Sequence, residues 1–329
     1  MCKIYGRKIV LLVVGLSMLL ISGSHADFTF DATVPLEPNV EEAIERAQEW
    51  LVSKQKQNGS WGNNNGYNGM ITIALMVNGT TPGKGKYGAN VSRAVDYILS
   101  TQQASGVLGA GNMYEHALAM LALAEAYGMT NNEGVREALL KAVDLLVQTQ
   151  HFGGGWRYKP EMMPGDLSVT VMQVMALRAS AELGIHVPKE TIEYAVKFIR
   201  TCWNSRNAGF GYTDSKTFNR NRTGAGVVCL QSLGLHDDPL VPAGIATIRK
   251  LAFNSDDSHD KKYFWYGHYY GSIALYHYGG DAWKEYYPRI CEKVLTDWEK
   301  SGHYENILDT AWAVLVLGVP YRYLPIYQR

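Results

Sequence analysis

Cysteine is scarce in this chain, with four residues in 329. Cys2 lies in the N-terminal segment. The other three, Cys202, Cys229 and Cys291, are an odd number, so at least one thiol is unpaired and disulfides cannot be the main staple. They read as small buried hydrophobes, with a bond from Cys202 to Cys291 or Cys229 as the alternative. There is no Cys-x-x-Cys and no His-rich tract, so no structural zinc site is indicated and no motif calls for a cofactor. Charge of one sign is not in excess, since 31 basic residues face 31 acidic ones. That balance excludes the basic footprint of a nucleic-acid or anionic-membrane binder. Sustained period-two alternation between hairpin turns is missing as well, which argues against a sheet.

Long apolar runs are limited to one. Ile9 to Ile21 is mostly apolar but shorter than the roughly 20 residues a membrane-spanning helix needs. Lys3, Arg7 and Lys8 precede it, and Ser24-His25-Ala26 places small residues at a cleavage position. Residues 1–26 therefore read as an export signal, with a retained anchor as the alternative. Residues 27–37 read as a flexible segment, and 38–329 as a single domain. The expected location is periplasmic or extracellular, without a stable membrane span.

What the chain does have is a repeat. Arg46-Ala47-x-x-Trp50-Leu51-x-x-x-Gln55-x-x-x-Gly59-x-Trp61 and Lys141-Ala142-x-x-Leu145-Leu146-x-x-x-Gln150-x-x-x-Gly154-x-Trp156 share every spacing. A third copy, Arg93-Ala94 through Gln102 and Gly106 to Leu108, loses only the last aromatic, and weaker copies follow near Phe198-Ile199, Leu251 and Leu295. A period of this size signals stacked supersecondary units. In each unit a first helix has one apolar stripe, as with Ala43, Ala47, Trp50 and Leu51. The second helices, Ala117–Ala124, Val169–Leu177 and Ala311–Leu317, are apolar almost all round and so must be inner helices. An open array would need polar caps at its ends, and neither end supplies one. The expected fold is all-α, an (α/α)6 toroid of six helical hairpins.

The Gln-x-x-x-Gly-x-Trp element resembles the QW repeat of the prenyltransferase and squalene-oxidase repeat proteins, the superfamily of terpenoid cyclases and protein prenyltransferase β-subunits. Met113-Tyr114-Glu115-His116-Ala117, Gly153-Gly154-Gly155-Trp156-Arg157-Tyr158 and Tyr321-Arg322-Tyr323-Leu324-Pro325 look like the exported single-toroid members of that superfamily. The resemblance implies a packing role for the Gln and the Trp. It also implies a comparison of Asp166-Leu167-Ser168-Val169-Thr170 with the Asp-x-Asp-Asp-Thr of protonating cyclases. Ser168 stands at the proton donor, and a serine hydroxyl cannot protonate an alkene, so such cyclisation is not expected. The Asp-x-Cys pair that holds zinc in prenyltransferases is absent.

In a toroid the inner helices all run the same way, so their N-terminal ends and dipoles gather at one mouth of the ring. The polar residues there are the site candidates. Asp166, Glu305 and Asp309 are the candidate catalytic carboxylates, with capping as the alternative role for Asp166. Glu305 and Asp309, four apart, read as neighbours on one helix face. Tyr114, Glu115, His116, Ser168, Arg222, Trp265, His268 and Tyr269 are the candidate ligand contacts. The aromatic run Tyr263 to Tyr270 could hold cationic or apolar ligands, stack on sugar rings, or pack the core. A metal site of His116, Asp166 and His268 is a weaker possibility. The leading functional expectation is an apolar, possibly isoprenoid, small molecule in a central cavity, without protonation-type cyclase activity. The alternatives are a protein-interaction scaffold with a protein partner and a glycan-binding or glycan-cleaving toroid. Aliphatic cavity walls would favour the first, and an open groove with two facing carboxylates the last.

Overall fold

A computed structural model describes residues 38–253, 262–321 and 324; the expected signal segment, the residues up to 37 and most of the C-terminal Tyr-Arg-Tyr-Leu-Pro stretch lie outside them. Among the described residues there are twelve longer helices. Six are outer: α1 (Pro38–Ser53), α3 (Gly88–Ser100), α5 (Glu133–Thr149), α7 (Lys189–Thr201), α9 (Leu240–Ile248) and α11 (Gly280–Trp298). Six are inner: α2 (Asn65–Met76), α4 (Met113–Thr130), α6 (Leu167–Glu182), α8 (Arg220–Ser232), α10 (Phe264–Tyr278) and α12 (Ile307–Gly318). The inner helices pack in the cyclic order α2, α4, α6, α8, α10, α12 and back to α2, and α1 sits between α12 and α2 to seal the ring. The fold is an all-α toroid of six hairpins.

Burial follows the two periodicities. On outer α5, Val135, Ala138, Leu139, Ala142, Val143 and Leu146 form a single buried stripe, whereas inner α4 is buried almost continuously from Glu115 to Ala126. Glycine lets inner helices meet backbone to backbone. A methyl group on Gly69 would come within 2.5 Å of the Leu118 carbonyl oxygen, and one on Gly224 within 2.7 Å of the Gly271 nitrogen.

The repeated turn is the joint between units. Gln55 Nε2 donates to Gly59 O and to Asn90 O on the next outer helix, both at 2.9 Å. Gln102 does the same to Gly106 O and Ala138 O, and Gln150 to Gly154 O and Thr191 O. Trp61 and Trp156 instead reach back, each indole N–H donating to a carbonyl of the preceding outer helix, Leu51 at 2.6 Å and Leu146 at 2.8 Å. The amide thus ties each turn forward and the indole ties it backward, which is the packing role expected of both. In the fourth unit Trp203, Asn207 and Gly209 occupy the Gln, Gly and Trp positions, and the turn becomes a two-stranded hairpin, Trp203–Asn204 against Gly209–Phe210. That small sheet corrects the expectation of no strands. Cys202, Cys229 and Cys291 are buried free thiols. No helix of the described residues is long and apolar enough to cross a membrane.

Candidate functional site

The inner helices begin alike. Asn64, Asn112, Asp166, Asn219 and Asn306 cap α2, α4, α6, α8 and α12, each side chain accepting from a backbone N–H two or three residues on. A few residues further on, a buried polar side chain anchors each helix to the loop before it. The side chains of Asn68, His116, Thr170, Thr223 and Thr310 accept from the backbone N–H groups of Trp61, Leu108, Trp156, Phe210 and Tyr304 at 2.8 to 3.3 Å. His268 holds the corresponding place on α10, with Nε2 3.1 Å from Ala252 O.

Two residues before these anchors stand Tyr114, Ser168, Asn221 and Tyr266 on four successive inner helices, and all four line one cavity of about 360 Å³. Arg222 and Asn219 on the α8 side, Tyr263 at the start of α10, and Tyr158 and Tyr212 from the preceding loops complete its wall. The two loop tyrosines occupy matching places, each two residues past the N–H that the anchor accepts from. Their hydroxyls hydrogen-bond each other, and the Tyr158 ring centre lies 5.8 Å from that of Tyr114.

Two guanidinium groups pack on these rings. Arg157 lies 5.1 Å from the Tyr158 ring centre and 5.4 Å from that of Tyr212, and Arg222 lies 5.3 Å from that of Tyr212. Asp166 is fully buried, with Oδ1 accepting from Val169 N at 3.0 Å and Oδ2 3.7 Å from Arg157 Nε. Burial pushes its carboxyl up, opposed by the Val169 N–H and by Arg157. Burial also raises the phenols of Tyr114, Tyr212 and Tyr266, so all three stay protonated and able to donate near neutral pH. The site therefore combines aromatic faces, hydroxyl and amide donors and positive charge. Stabilising a ligand cation is not what this arrangement suits, because two guanidiniums already lie against Tyr158 and Tyr212.

No family model matches the chain, and no curated protein matches it in sequence. Solved structures do match in shape. An inactive variant of an α-1,6-mannanase of Salegentibacter sp. HEL1_6, in complex with α-1,6-mannotetrose, aligns over 86% of this chain and 99% of its own, with TM-score 0.66 and 11% identity. A type II terpene cyclase from Scytonema aligns over 87% and 99%, with TM-score 0.61 and 14% identity. A Candida albicans protein geranylgeranyltransferase-I complexed with GGPP aligns over 83% and 90%, with TM-score 0.57 and 12% identity. At these identities the likeness is one of fold.

Of the residues expected to contact a ligand, Tyr114, Ser168 and Arg222 meet in the cavity wall. Asp166 lies under it, as cap and ion-pair partner. The others are held elsewhere. Glu115 accepts from Asn64 Nδ2 at 3.2 Å and from Asn65 N at 3.3 Å, clamping the start of α2. His116 and His268 are loop anchors, and the Nδ1 of His268 meets the Tyr286 hydroxyl at 3.0 Å. Burial lowers the pKa of both imidazoles to about 4. Tyr269 is packed in the core against Trp312 and Tyr270, and Trp265 packs edge-on against Phe264 and Tyr304.

The two carboxylates expected on one helix face do not share one. Glu305 is exposed and precedes the Asn306 cap, so only Asp309 lies on α12, and neither lines the cavity. Among the described residues no group of three His, Cys, Asp or Glu side chains gathers as a metal site would require. The aromatic run singled out in the sequence contributes Tyr263 and Tyr266 to the wall, whereas sequence reasoning missed Tyr158, Tyr212, Asn219 and Asn221. Counting two residues past each turn anchor and two before each helix anchor would have found three of them.

Proposed function

We infer that the protein binds a small, oxygen-rich ring molecule of the carbohydrate class at the mouth of the toroid. The observation that carries this reading is the wall itself, five tyrosines with Ser168, Asn219, Asn221 and Arg222, and no aliphatic side chain. Sugars present apolar ring faces for tyrosine to stack on and hydroxyls for amide, phenol and guanidinium groups to bond. A cavity of about 360 Å³ suits a few sugar rings at most. The mannanase neighbour, which binds a mannotetrose on the same fold, supports the reading.

Binding rather than cleavage is the proposed activity. Glycoside hydrolysis uses two carboxyl groups flanking the bond, roughly 5–10 Å apart, and no carboxylate stands in this wall. An isoprenoid occupant in a chain of the QW-repeat kind is the second reading, favoured by the apolar inner helices and by the terpene cyclase and geranylgeranyltransferase neighbours. The proposed setting is outside the cytoplasm, on the strength of the basic residues, short apolar run and small residues at the N-terminus.

Calorimetric titration with a panel of oligosaccharides and with geranylgeranyl lipids separates these readings. Saccharide binding is expected, abolished by Tyr212→Ala in a variant of unchanged helicity. Binding of the lipids alone would reverse the order of the two readings.

A further inference from the structure

The charge of the cavity indicates what its occupant carries. Arg157 has an answering carboxylate in Asp166, 3.7 Å away. Arg222 has none among the described residues: Nη2 donates to the Thr217 carbonyl at 2.6 Å, and Nε is buried without a hydrogen-bond partner. Beside it, Asn221 is only 6% exposed, yet its Nδ2 donor also lacks a partner, although the residue forms part of the cavity wall. Both residues lie in the first turn of α8, and the first turns of α4, α6 and α10 supply Tyr114, Ser168 and Tyr266 to the same wall. Four helix N-termini thus add positive potential to an unanswered guanidinium in a partly enclosed space, where such charge is little screened. Buried donors without acceptors are costly to leave unmade, and a bound anion would satisfy them.

We propose that Arg222 and Asn221 form an anion subsite, so that the occupant is an acidic sugar whose carboxylate or phosphate faces α8. This rests on the carbohydrate reading above and narrows it. A neutral sugar of the same size leaves the Arg222 charge unanswered and binds more weakly. The tyrosines hold the ring and the α8 pair selects its charge.

The test is titration calorimetry of the full chain with glucuronate or galacturonate oligomers, with the neutral glucose or galactose oligomers of equal length, and with a sugar phosphate. Charge-assisted hydrogen bonds set the expected preference for an acidic ligand at about ten- to a hundred-fold, shrinking as salt rises. In Arg222→Gln that preference is lost, the acidic ligand falling to the affinity of the neutral one; in Arg222→Lys part of it returns. Arg136→Gln, on the exposed face of α5, removes the same charge and leaves the preference unchanged. Preference for the uronates identifies a carboxylate and preference for the sugar phosphate a phosphate. Equal binding of acidic and neutral sugars, or a preference that Arg222→Gln leaves intact, overturns the subsite. If no saccharide binds but geranylgeranyl diphosphate does, and Arg222→Gln abolishes it, the anion subsite stands and the carbohydrate reading falls. Should Arg222→Gln not fold, Asn221→Ala with the salt dependence of the wild type decides: no loss of preference and no salt effect overturns the proposal.

Discussion

Gly154 shows how narrowly the turn between units is built. Its φ is +100°, and a methyl group there would sit 1.7 Å from the Tyr194 carbonyl oxygen on the next outer helix. Gly59 and Gly106 repeat the arrangement against Arg93 O and Lys141 O. Gly184 has a similar φ of +80° with nothing within 4 Å, so it feels the backbone term alone. Gly184→Ala is therefore expected to cost about 1–2 kcal/mol, the ordinary penalty of a left-handed alanine. Gly154→Ala adds a clash with backbone and should cost clearly more, about 3 kcal/mol or above. Trp156, 1% exposed and bonded to Leu146 O, should cost about 3–5 kcal/mol when truncated to Ala. Urea unfolding of the three variants checks the order. Equal losses for the two glycine variants would mean that the turn yields and that its contact with the next helix is not a fixed joint.

At the level of the helix, the informative unit is the first turn of each inner element. On α4, α6, α8 and α10 one position faces the cavity, and two residues later another anchors the loop. Sequence showed where these helices start, because the change to continuous apolar character marks it and Asp166 stands in a capping position. It did not show rotation about the helix axis, so Tyr114 and His116 looked equally exposed to the mouth when only Tyr114 lines the cavity. Tyr158 and Tyr212 were hidden for a different reason. The fourth turn has lost its Gln, Gly and Trp, and with them the register that would have matched Tyr212 to Tyr158. The fold was legible because apolar periodicity is a property of whole helices, whereas the site depends on single positions. The anchor role of His116 carries a pH signature. Its Nδ1 accepts from Leu108 N, so the folded ring is neutral, with a pKa near 4 against about 6.5 unfolded. The unfolded chain binds the proton first, so this contribution is whole above pH 6.5 and is lost as pH falls toward 4, by up to about 3 kcal/mol. The raised carboxyl of Asp166 works in the opposite direction, so the comparison must be with a variant and not with pH 7 alone. His116→Asn, which copies the anchor Asn68, should lose less stability than the wild type between pH 7 and pH 4.5. Parallel pH profiles would show that the folded His116 takes up its proton at the same pH as the unfolded chain.

At the largest scale the twelve described helices form a closed ring, and closure changes how stability is shared. In an open array each unit touches only its neighbours, and a terminal unit can be removed at a proportionate cost. Here α12 packs against α10 and α11 on one side and against α1 and α2 on the other, so the last of the described α-helices completes the burial of the first two described. Its residues from Ala313 to Leu317 are at most 1% exposed. Removing it would uncover apolar faces on four helices at once, and the lost burial would exceed the few kcal/mol margin of a typical domain. Wild type should therefore unfold in one calorimetric transition, and a chain ending at Gly302 should show no cooperative transition and should bind a hydrophobic dye. A truncated chain that still melts sharply, a few degrees below the wild type, would mean that the units are stable as a stack and that the ring is only a geometric closure. The cavity makes the same distinction in a second way. Its wall draws on α4, α6, α8 and α10 and takes no residue from α12 or α2. If the ring is one cooperative unit, truncation at the seam abolishes ligand binding in a wall to which α12 gives no residue. If the units are independent, binding persists.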